Sequence, residues 1–390
     1  MSVVNYLVGS GVVTNRPLLP FDEEAVSFLN ALSRELMQIP GVNRFSDLVY
    51  LAFYCRKGNL VKQKEAYDTK NRIGRGLVFH ITPSNVPVNF AFSYVFSLLA
   101  GNSNIVRVPS KPYQQTQMIC ETIRRVIDGF PEIACRTAII DYTADQQTTA
   151  GFCLQADARM IWGGNETVAD IRGMRTMPRC VDVVFADRYS ICVLDGNAVS
   201  AASDAEIKRL AEGFYNDTYV MDQNACSSPH LILWQNPSAT VKDRFWSEVA
   251  ALADRKYDLQ PAIAVDKYTL LCENAIDLTH IGRVRRYGNR LYLAELSTLL
   301  GEEGNKLRGI GGYFYEYNLN GLDDIEPIIN EKYQTITYFG ANPQQIKEWV
   351  THSKLRGIDR IVPIGSAMDI GLTWDGYNLI DTLTRIVQSV

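Results

Sequence analysis

Residues 74–111 read GRGLVFHITPSNVPVNFAFSYVFSLLAGNSNIVRVPSK. Within this stretch, GLVFHI predicts a buried strand, VNFAFSYVFSLLAGN a helix that ends near Gly101, and NIVRV a second strand. A strand, a helix and a strand in succession are typical of a parallel βαβ unit. The stretch therefore indicates an α/β fold.

The same alternation continues along the chain. PYQQTQMICETIRRVIDGF predicts another helix, and TAIID, ARMIWG, VDVVFA and SICVLD are short apolar runs typical of buried strands. NETVADIRG and DAEIKRLAEGFYN predict helices between or after these strands. We therefore expect a doubly wound parallel sheet.

The flanking regions predict helices before this sheet and a second α/β domain after it. Asp22 can cap a helix that ends at Pro40, a second helix follows around residues 46–56, and KQKEAYDTKNR is a charged connector. Beyond residue 220, HLILW, a helix over residues 240–253, a less regular stretch, QTITYFG and the helix PQQIKEWVTHSKLRG form the second domain. The tail NLIDTLTRIVQSV suits a helix or a strand.

Composition excludes several classes of protein. The chain has 390 residues, a net charge of −4 and 46% hydrophobic residues, which is ordinary for a globular protein and gives no electrostatic reason to expect nucleic acid. The uncharged stretch from Gly76 to Val106 is interrupted by proline and asparagine, so it predicts no membrane span. The N-terminus does not resemble a secretory signal, and eight cysteines without a CxxC pair predict neither disulfides nor a metal site. We expect a cytoplasmic protein.

A polar turn follows the first buried strand, in HITPSNVPVNF. Open α/β sheets bind ligands where strand ends and helix starts converge. The side-chain amide of Asn85 can donate there to an oxygen that becomes negative during acyl transfer. The alternative is a turn asparagine that bonds its own backbone.

A glycine pair follows a later strand, in IWGGNETVADIRG. Gly163 and Gly164, with a helix start at Asn165, suit the approach of a phosphate to backbone amides. The sequence is not a GxGxxG fingerprint, and glycines at such turns also occur for packing alone.

Cys226 lies among small and polar residues in MDQNACSSPHLILW, directly before a strand. A nucleophilic thiol needs partial exposure and room for a carbonyl, which Ala225, Ser227 and Ser228 leave. The alternative is an inert cysteine. His230 shares a face with Cys226 in an extended chain, but lies too far along it for a direct base role.

Taken in order, these segments resemble the aldehyde dehydrogenase superfamily, and within it the LuxC-type acyl-CoA reductases, the fatty acid reductases of bacterial bioluminescence. Residues 74–111 are similar to the superfamily stretch that carries the oxyanion asparagine and the cofactor loop. DQNACSSP is similar to the LuxC nucleophile segment, and EKYQTITYFG with GIDRIVPIGSAMDIGLTWDGYNLI to its C-terminal signature.

The resemblance implies a domain plan and roles for residues. It implies N-terminal helices and an NADP-binding domain over residues 1–190, a catalytic domain over 191–365, and a C-terminal segment, 366–390, whose last part is an extended, intermolecular oligomerisation strand. Cys226 is then the nucleophile and Asn85 the oxyanion donor. The implied cofactor-binding residues are Thr82, Pro83, Arg107, Ser110, Lys111, Gly163, Gly164 and Asn165.

Two departures from the superfamily pattern refine the expected function. Hydrolytic relatives carry a water-activating glutamate where this chain has Val184 or Phe185, which favours a thiol over water as the second nucleophile. The cofactor loop carries Lys111 where an acid is common, and with Arg107 it should attract a 2′-phosphate, so we expect NADPH. The alternative is that both are solvated surface cations.

The resemblance thus implies reduction of an acyl-CoA, or another acyl thioester, to the aldehyde with NADPH and without a metal. Two other functions remain open: a cysteine acyltransferase or thioesterase that uses no cofactor, and a non-catalytic partner subunit. An acyl-protein synthetase or acyl transferase is the partner that the resemblance suggests, and a homo-oligomer is expected.

Overall fold

The structure is a computed structural model that describes residues 2–277 and 280–389, with only the backbone at residues 302 and 303. The chain divides into two compact units. The first contains the residues up to Ala186 together with those from Leu372 onward, and the second is Asp187–Gly371.

The described helices, in chain order, are α1 (Glu23–Gln38), α2 (Ser46–Tyr54), α3 (Lys57–Ala66), α4 (Asn89–Leu99), α5 (Gln114–Ile127), α6 (Pro131–Ala134), α7 (Gln146–Cys153), α8 (Asn165–Gly173), α9 (Gly196–Ala201), α10 (Asp204–Thr218), α11 (Ala239–Lys256), α12 (Pro261–Asp277), α13 (Pro343–His352) and α14 (Leu379–Leu383). Short 3-10 helices cover Val42–Arg44, Tyr219–Met221, Glu302–Lys306 and Leu322–Ile328.

The described strands are β1 (Asn5–Val8), β2 (Arg72–Gly74), β3 (Leu77–Ile81), β4 (Ser103–Arg107), β5 (Thr137–Asp141), β6 (Ala158–Trp162), β7 (Val181–Phe185), β8 (Tyr189–Asp195), β9 (Pro229–Gln235), β10 (Ile281–Tyr287), β11 (Leu291–Leu296), β12 (Tyr313–Leu319), β13 (Tyr333–Phe339), β14 (Arg360–Pro363), β15 (Thr373–Trp374), β16 (Tyr377–Asn378) and β17 (Thr384–Ile386).

The first unit contains a six-stranded sheet in the order β1-β5-β4-β3-β6-β7. Its strands are parallel except β1, which runs antiparallel to β5. The chain moves outward from β3 through β4 to β5, and then returns to the other side of β3 with β6. This is the predicted doubly wound sheet, and its topological switch point lies between β3 and β6.

Complete burial explains why strand β3 and helix α4 are easy to predict from the sequence. All of its residues are buried, as are all five residues of β3. Elements buried on every side carry nearly continuous apolar runs, because no face meets water. The strand and helix that the sequence predicts most clearly are therefore also the centre of the unit.

The second unit contains a seven-stranded sheet in the order β10-β11-β12-β9-β8-β13-β14. Its strands are parallel except β10, which runs antiparallel to β11. Aromatic residues fill the core on one face, where Phe214, Trp234 and Trp246 pack together. A tyrosine-rich cluster that includes Tyr189, Tyr313 and Tyr333 covers the other face. The expected second α/β domain is present.

Two predictions about local structure are wrong. The charged connector is helical through Ala66 as part of α3, in which Leu60 alone is buried, so the helix has almost no apolar period to detect. The less regular stretch contains α12 and strands β10, β11 and β12. Helix α12 buries two polar side chains, Lys267 and Asn274, and so hides its amphipathic pattern.

The C-terminal segment differs from the expected extended strand. Leu379–Leu383 is helical and buried on its apolar side, and only Thr384–Ile386 is extended. That strand pairs antiparallel with β2 of the same chain. A salt bridge of 2.6 Å between Arg72 and Asp381 joins the same two regions. The tail is thus part of the first unit.

Among the described helices, none combines the length and the apolar content that crossing a membrane would need.

Candidate active site

The Asn85 turn follows β3 at the carboxyl edge of the first sheet. Asn85 is exposed, and within the described chain its side chain makes no hydrogen bond. The alternative in which its amide bonds the local backbone is therefore not what the structure has. An exposed amide without a protein partner is able to donate to a ligand.

Three hydrogen bonds hold the backbone on both sides of Asn85. The Tyr113 hydroxyl donates to the carbonyl of Ser84 at 3.0 Å, and the Thr116 hydroxyl donates to the carbonyl of Pro87 at 3.1 Å. The hydroxyl of Thr82 donates to the carbonyl of Arg107 at 2.6 Å. The backbone of the turn is thus tied to α5 and to β4, and none of these bonds uses the Asn85 amide.

A buried polar chain lies beneath this turn. His80 Nδ1 is 2.8 Å from the Ser93 hydroxyl, and its Nε2 is 3.0 Å from Asn104 Oδ1. The Asn104 amide donates to a backbone carbonyl, so its oxygen must accept from Nε2–H of His80. The Trp162 indole donates to Ser93 at 3.0 Å. Burial lowers the pKa of His80 to about 4, which keeps the ring neutral.

The glycine pair lies beside β3, at the end of β6. A side chain on Gly163 would approach Thr167 to 3.2 Å, so packing accounts for this glycine. Gly164 caps α8, and a side chain there would meet nothing within 4 Å. Among the described residues no side chain caps the first turn of α8, and Asn165, its first residue, is exposed. Backbone amides at this turn therefore remain available to a ligand.

The cofactor loop after β4 divides into two parts. The Arg107 guanidinium lies 4.5 Å from the ring centroid of Tyr142 and donates to the Tyr142 carbonyl at 3.4 Å. Ser110 and Lys111 are exposed. Arg107 is therefore engaged with its own sheet, whereas Lys111 is available to a charged ligand.

These expected cofactor residues all lie at one edge of one sheet. Thr82 and Pro83 follow β3, Arg107 to Lys111 end or follow β4, and Gly163 to Asn165 follow β6. They flank the switch point between β3 and β6, where doubly wound sheets bind nucleotides.

Phe185, one of the two positions that the resemblance places opposite the glutamate of hydrolytic relatives, belongs to an aromatic pair. Phe185, the last residue of β7, is buried and stacks on Trp162 with ring centroids 3.6 Å apart. Tyr377 meets the same phenyl ring edge-on at 5.7 Å. Val184, the other candidate position, is half-buried. No carboxylate stands at either position to activate water.

Cys226 lies in the second unit, in a turn directly before β9. Its side chain is half-buried and forms no disulfide. Its carbonyl accepts a hydrogen bond of 2.6 Å from the Ser190 hydroxyl at the start of β8. The amide of Ser228 donates to the carbonyl of Ala225 at 2.9 Å and closes the turn around the cysteine. The thiol is thus partly accessible on a backbone that is held in place.

The two residues Asp222 and Gln223, which precede the cysteine turn, have a left-handed backbone conformation. The sequence analysis did not predict this feature. Asp222 and Gln223 have φ of 51° and 62°. The Gln223 side chain is buried, accepts from the amides of Gly312 and Tyr313 at 2.8 and 3.1 Å, and donates to the Tyr313 carbonyl at 3.0 Å. Two consecutive left-handed residues other than glycine are costly, and they persist where surrounding contacts hold them. The only signal in the sequence is a glutamine three residues before the cysteine.

His230 is packed as a core residue of β9. Its ring stacks on Tyr189 at 5.4 Å, and its Nδ1 is buried without a partner in the described chain. Burial, assisted by nearby Arg308, lowers the pKa of His230 to about 3. A ring with this pKa is a weak proton acceptor near neutral pH, so the structure gives no support to His230 as a base.

Comparison with solved structures defines the class. The chain is similar to aldehyde dehydrogenase 21 from Physcomitrella patens (12% identity, 93% of this chain and 83% of that chain, TM-score 0.63). It is also similar to a 1-pyrroline-5-carboxylate dehydrogenase from Thermus with bound NAD, with 11% identity over 94% of this chain and 80% of that chain and a TM-score of 0.64. A third similar structure is an NAD-dependent benzaldehyde dehydrogenase from Corynebacterium glutamicum, with 10% identity over 94% of this chain and 84% of that chain and a TM-score of 0.58. The fold is therefore that of the aldehyde dehydrogenases.

The family follows from the sequence. The family model described as acyl-CoA reductase (LuxC) matches residues 57–270, more than half of the chain. The protein belongs to the LuxC acyl-CoA reductase family. A search of the curated proteins returns no match.

Proposed function

We propose that this protein reduces a fatty acyl-CoA to the aldehyde through an acyl group held covalently on Cys226. The observation that carries the proposal is a half-buried thiol in a braced turn directly before β9, in a chain of the LuxC family. The apolar pair at Phe185 supports reduction over hydrolysis, because an acyl-enzyme without a water-activating carboxylate is protected from water.

The chemistry begins at the cysteine. The Cys226 thiolate attacks the thioester carbonyl carbon and forms a new carbon–sulfur bond. The bond to the sulfur of CoA then breaks, and CoA departs with the electron pair as a thiolate that takes up a proton. This exchange neither oxidises nor reduces the acyl group, which remains as a thioester of the protein.

The developing oxyanion needs preorganised donors. We assign this role to the Asn85 side-chain amide, which is exposed and makes no hydrogen bond among the described residues, and to the backbone N–H of Cys226. Tyr113 and Thr116 hold the backbone of the turn on both sides of Asn85.

The residues at the edge of the first sheet fit a nicotinamide cofactor. Open space at Gly164 and uncapped amides of α8 suit a pyrophosphate, and exposed Ser110 and Lys111 suit the adenosine ribose with its 2′-phosphate. Thr82, Pro83 and Arg107 then shape the edge. When bound, the cofactor supplies the hydride that brings the acyl group to the oxidation level of an aldehyde. We propose NADPH on the basis of Lys111.

Further assignments belong to the same proposal. The first unit is the cofactor-binding domain and the second the catalytic domain. The acyl group arrives on CoA, and a homo-oligomer, cytoplasmic location and an acyl-transferring partner are expected of the protein.

The test is oxidation of NADPH with acyl-CoAs of increasing chain length, run beside Cys226→Ala and repeated with NADH. Cysteine-dependent oxidation with aldehyde as product supports the proposal. If Cys226 is acylated but no NADPH or NADH is consumed, the protein is a cofactor-independent acyltransferase or thioesterase. Full activity of Cys226→Ala overturns the mechanism. An inert thiol together with no turnover favours a non-catalytic partner subunit.

A further inference from the structure

Asp217 connects the cysteine turn to a distant loop. It lies in the last turn of α10, and its side chain is only 1% exposed. Its carboxylate accepts the amide of Gly365 at 2.6 Å and the amide of Ala367 at 2.9 Å. Its own carbonyl accepts from the Ser228 hydroxyl at 2.7 Å, two residues after Cys226. One residue therefore holds both segments.

A second side chain holds the carbonyls of the same loop. The Arg360 guanidinium donates to the carbonyls of Ser366, Ala367 and Asp369 at 3.2, 2.8 and 2.9 Å. The amides of the loop thus donate to the Asp217 carboxylate, and its carbonyls accept from the Arg360 guanidinium. A loop held by five charge-assisted hydrogen bonds from two side chains has a defined conformation.

This loop reaches the nucleophile segment. Met368 lies inside it, and its sulfur is 3.6 Å from the Ser227 hydroxyl, one residue after Cys226. Close packing of the loop on α10 depends on Gly213, where a side chain would approach Gly365 to 3.1 Å. The loop therefore packs against the helix that carries Asp217 and contacts the cysteine turn.

We propose that Asp217 is a positioning residue of the thiol site: its ionised carboxylate holds the Gly365–Asp369 loop, and with it Met368, against the segment of Cys226. Protonation of Asp217 removes one of the two acceptors, because a carboxylic acid keeps one oxygen as a donor. The loop is then released on one side, and acyl transfer to Cys226 slows. The inference deepens the proposed function and rests on it for the identity of the nucleophile.

The groups around Asp217 set the pH at which this happens. Burial raises the pKa of Asp217 to about 7, the two loop amides lower it, Asp369 raises it and Arg360 lowers it. A further titratable neighbour is the buried thiol of Cys192 on β8, whose own pKa burial raises to about 12. Asp217 therefore changes charge in the neutral range.

The experiment compares Asp217→Asn with wild type across pH. The readout is single-turnover acylation of Cys226 by an acyl-CoA, followed by intact mass. We expect Asp217→Asn to acylate about tenfold more slowly at about pH 8, a size typical of misplaced reacting groups. The ratio of the two rates should approach one below about pH 6. Asp217→Glu, which keeps the carboxylate, should recover part of the rate.

A matched control separates positioning from stability. Glu316→Gln alters another fully buried carboxylate of the same unit, which accepts from Trp234, Trp246 and Arg285. Its acylation rate relative to wild type should not vary with pH. If Asp217→Asn acylates at the wild-type rate, or at a ratio independent of pH, the proposal is overturned.

A second pair of readouts judges Asp217 without any acyl-CoA. Amide hydrogen exchange over residues 365–369 should be faster in Asp217→Asn than in wild type. Cys226 of the variant should also react with iodoacetamide about threefold faster, a change within the range of coupling energies between interacting residues. If either rate is unchanged, the proposal fails. If wild-type Cys226 is never acylated while both rates respond, the proposed function fails and the positioning role stands.

Discussion

Phe185 stacks on Trp162 with ring centroids 3.6 Å apart and an angle of 16° between the rings. The Trp162 indole is also bonded to Ser93 and thereby to His80, so the pair belongs to the hydrogen-bonded core of the first unit. A buried aromatic pair that is anchored in this way leaves no room for a carboxylate with its water.

The first prediction concerns hydrolysis of the acyl-enzyme. Without cofactor, an acyl-CoA should release about one equivalent of CoA per chain and then almost none, because no group at Phe185 activates water. Free CoA thiol measured over time checks this, with Cys226→Ala as the control that gives no burst. Steady release of CoA in the absence of cofactor would contradict the prediction.

The second prediction concerns Asn85. Asn85→Ala should lower kcat about a hundredfold, the usual cost of removing one oxyanion donor. The melting temperature should stay unchanged, because the side chain is exposed and makes no hydrogen bond within the described chain. Ser84→Ala is the matched control: its carbonyl, which Tyr113 bonds, is kept, so activity should be retained. Equal activity of both variants would remove Asn85 from the mechanism.

The third prediction concerns the glutamine that holds the cysteine turn. Gln223→Ala leaves buried peptide groups of Gly312 and Tyr313 without partners, which should cost about 2–4 kcal/mol of unfolding free energy. Urea unfolding measures this cost, and acylation of Cys226 should slow in the same variant. Gln344→Ala, which removes an exposed glutamine bonded to Glu348, should change neither quantity.

The fourth prediction concerns the cofactor. Lys111→Glu should raise KM for NADPH about tenfold or more and leave KM for NADH almost unchanged, because the reversal of charge repels only the 2′-phosphate. Lys57→Glu makes the same change in charge at another exposed position of the first unit and serves as control. If the two variants behave alike, Lys111 is a solvated surface cation.

The fifth prediction concerns stability in acid. The folded-state pKa of His80, about 4, lies below the value of 6.5 for an unperturbed histidine. Between these values the unfolded chain binds more protons, so this histidine lowers stability as pH falls from about 6.5 to 4. Unfolding free energies of wild type and His80→Asn over this range should differ in slope, with the variant less dependent on pH. Parallel slopes would contradict the assignment of a neutral buried His80.

The fold was predictable where burial makes patterns continuous. GLVFHI forms a central strand of the first sheet and the helix after it is fully buried, and the succession of short apolar runs was sufficient to predict a doubly wound sheet. Prediction failed at α3 and α12, because one buries a single leucine and the other buries a lysine and an asparagine. A periodicity argument detects only apolar faces.

Local motifs marked the candidate residues: Asn85 in a turn after a strand, the Gly163–Gly164 pair before a helix, and Cys226 among small residues before a strand. Each is visible because turn chemistry and chain direction are properties of neighbours in sequence. The residues that contact these segments in the folded protein cannot be predicted in this way. Asp217 meets Gly365 across 148 residues, and Gln223 meets Gly312 across 89. Such pairs depend on single polar groups that folding brings together, and a hydrogen bond between distant residues leaves no periodic signal in the chain.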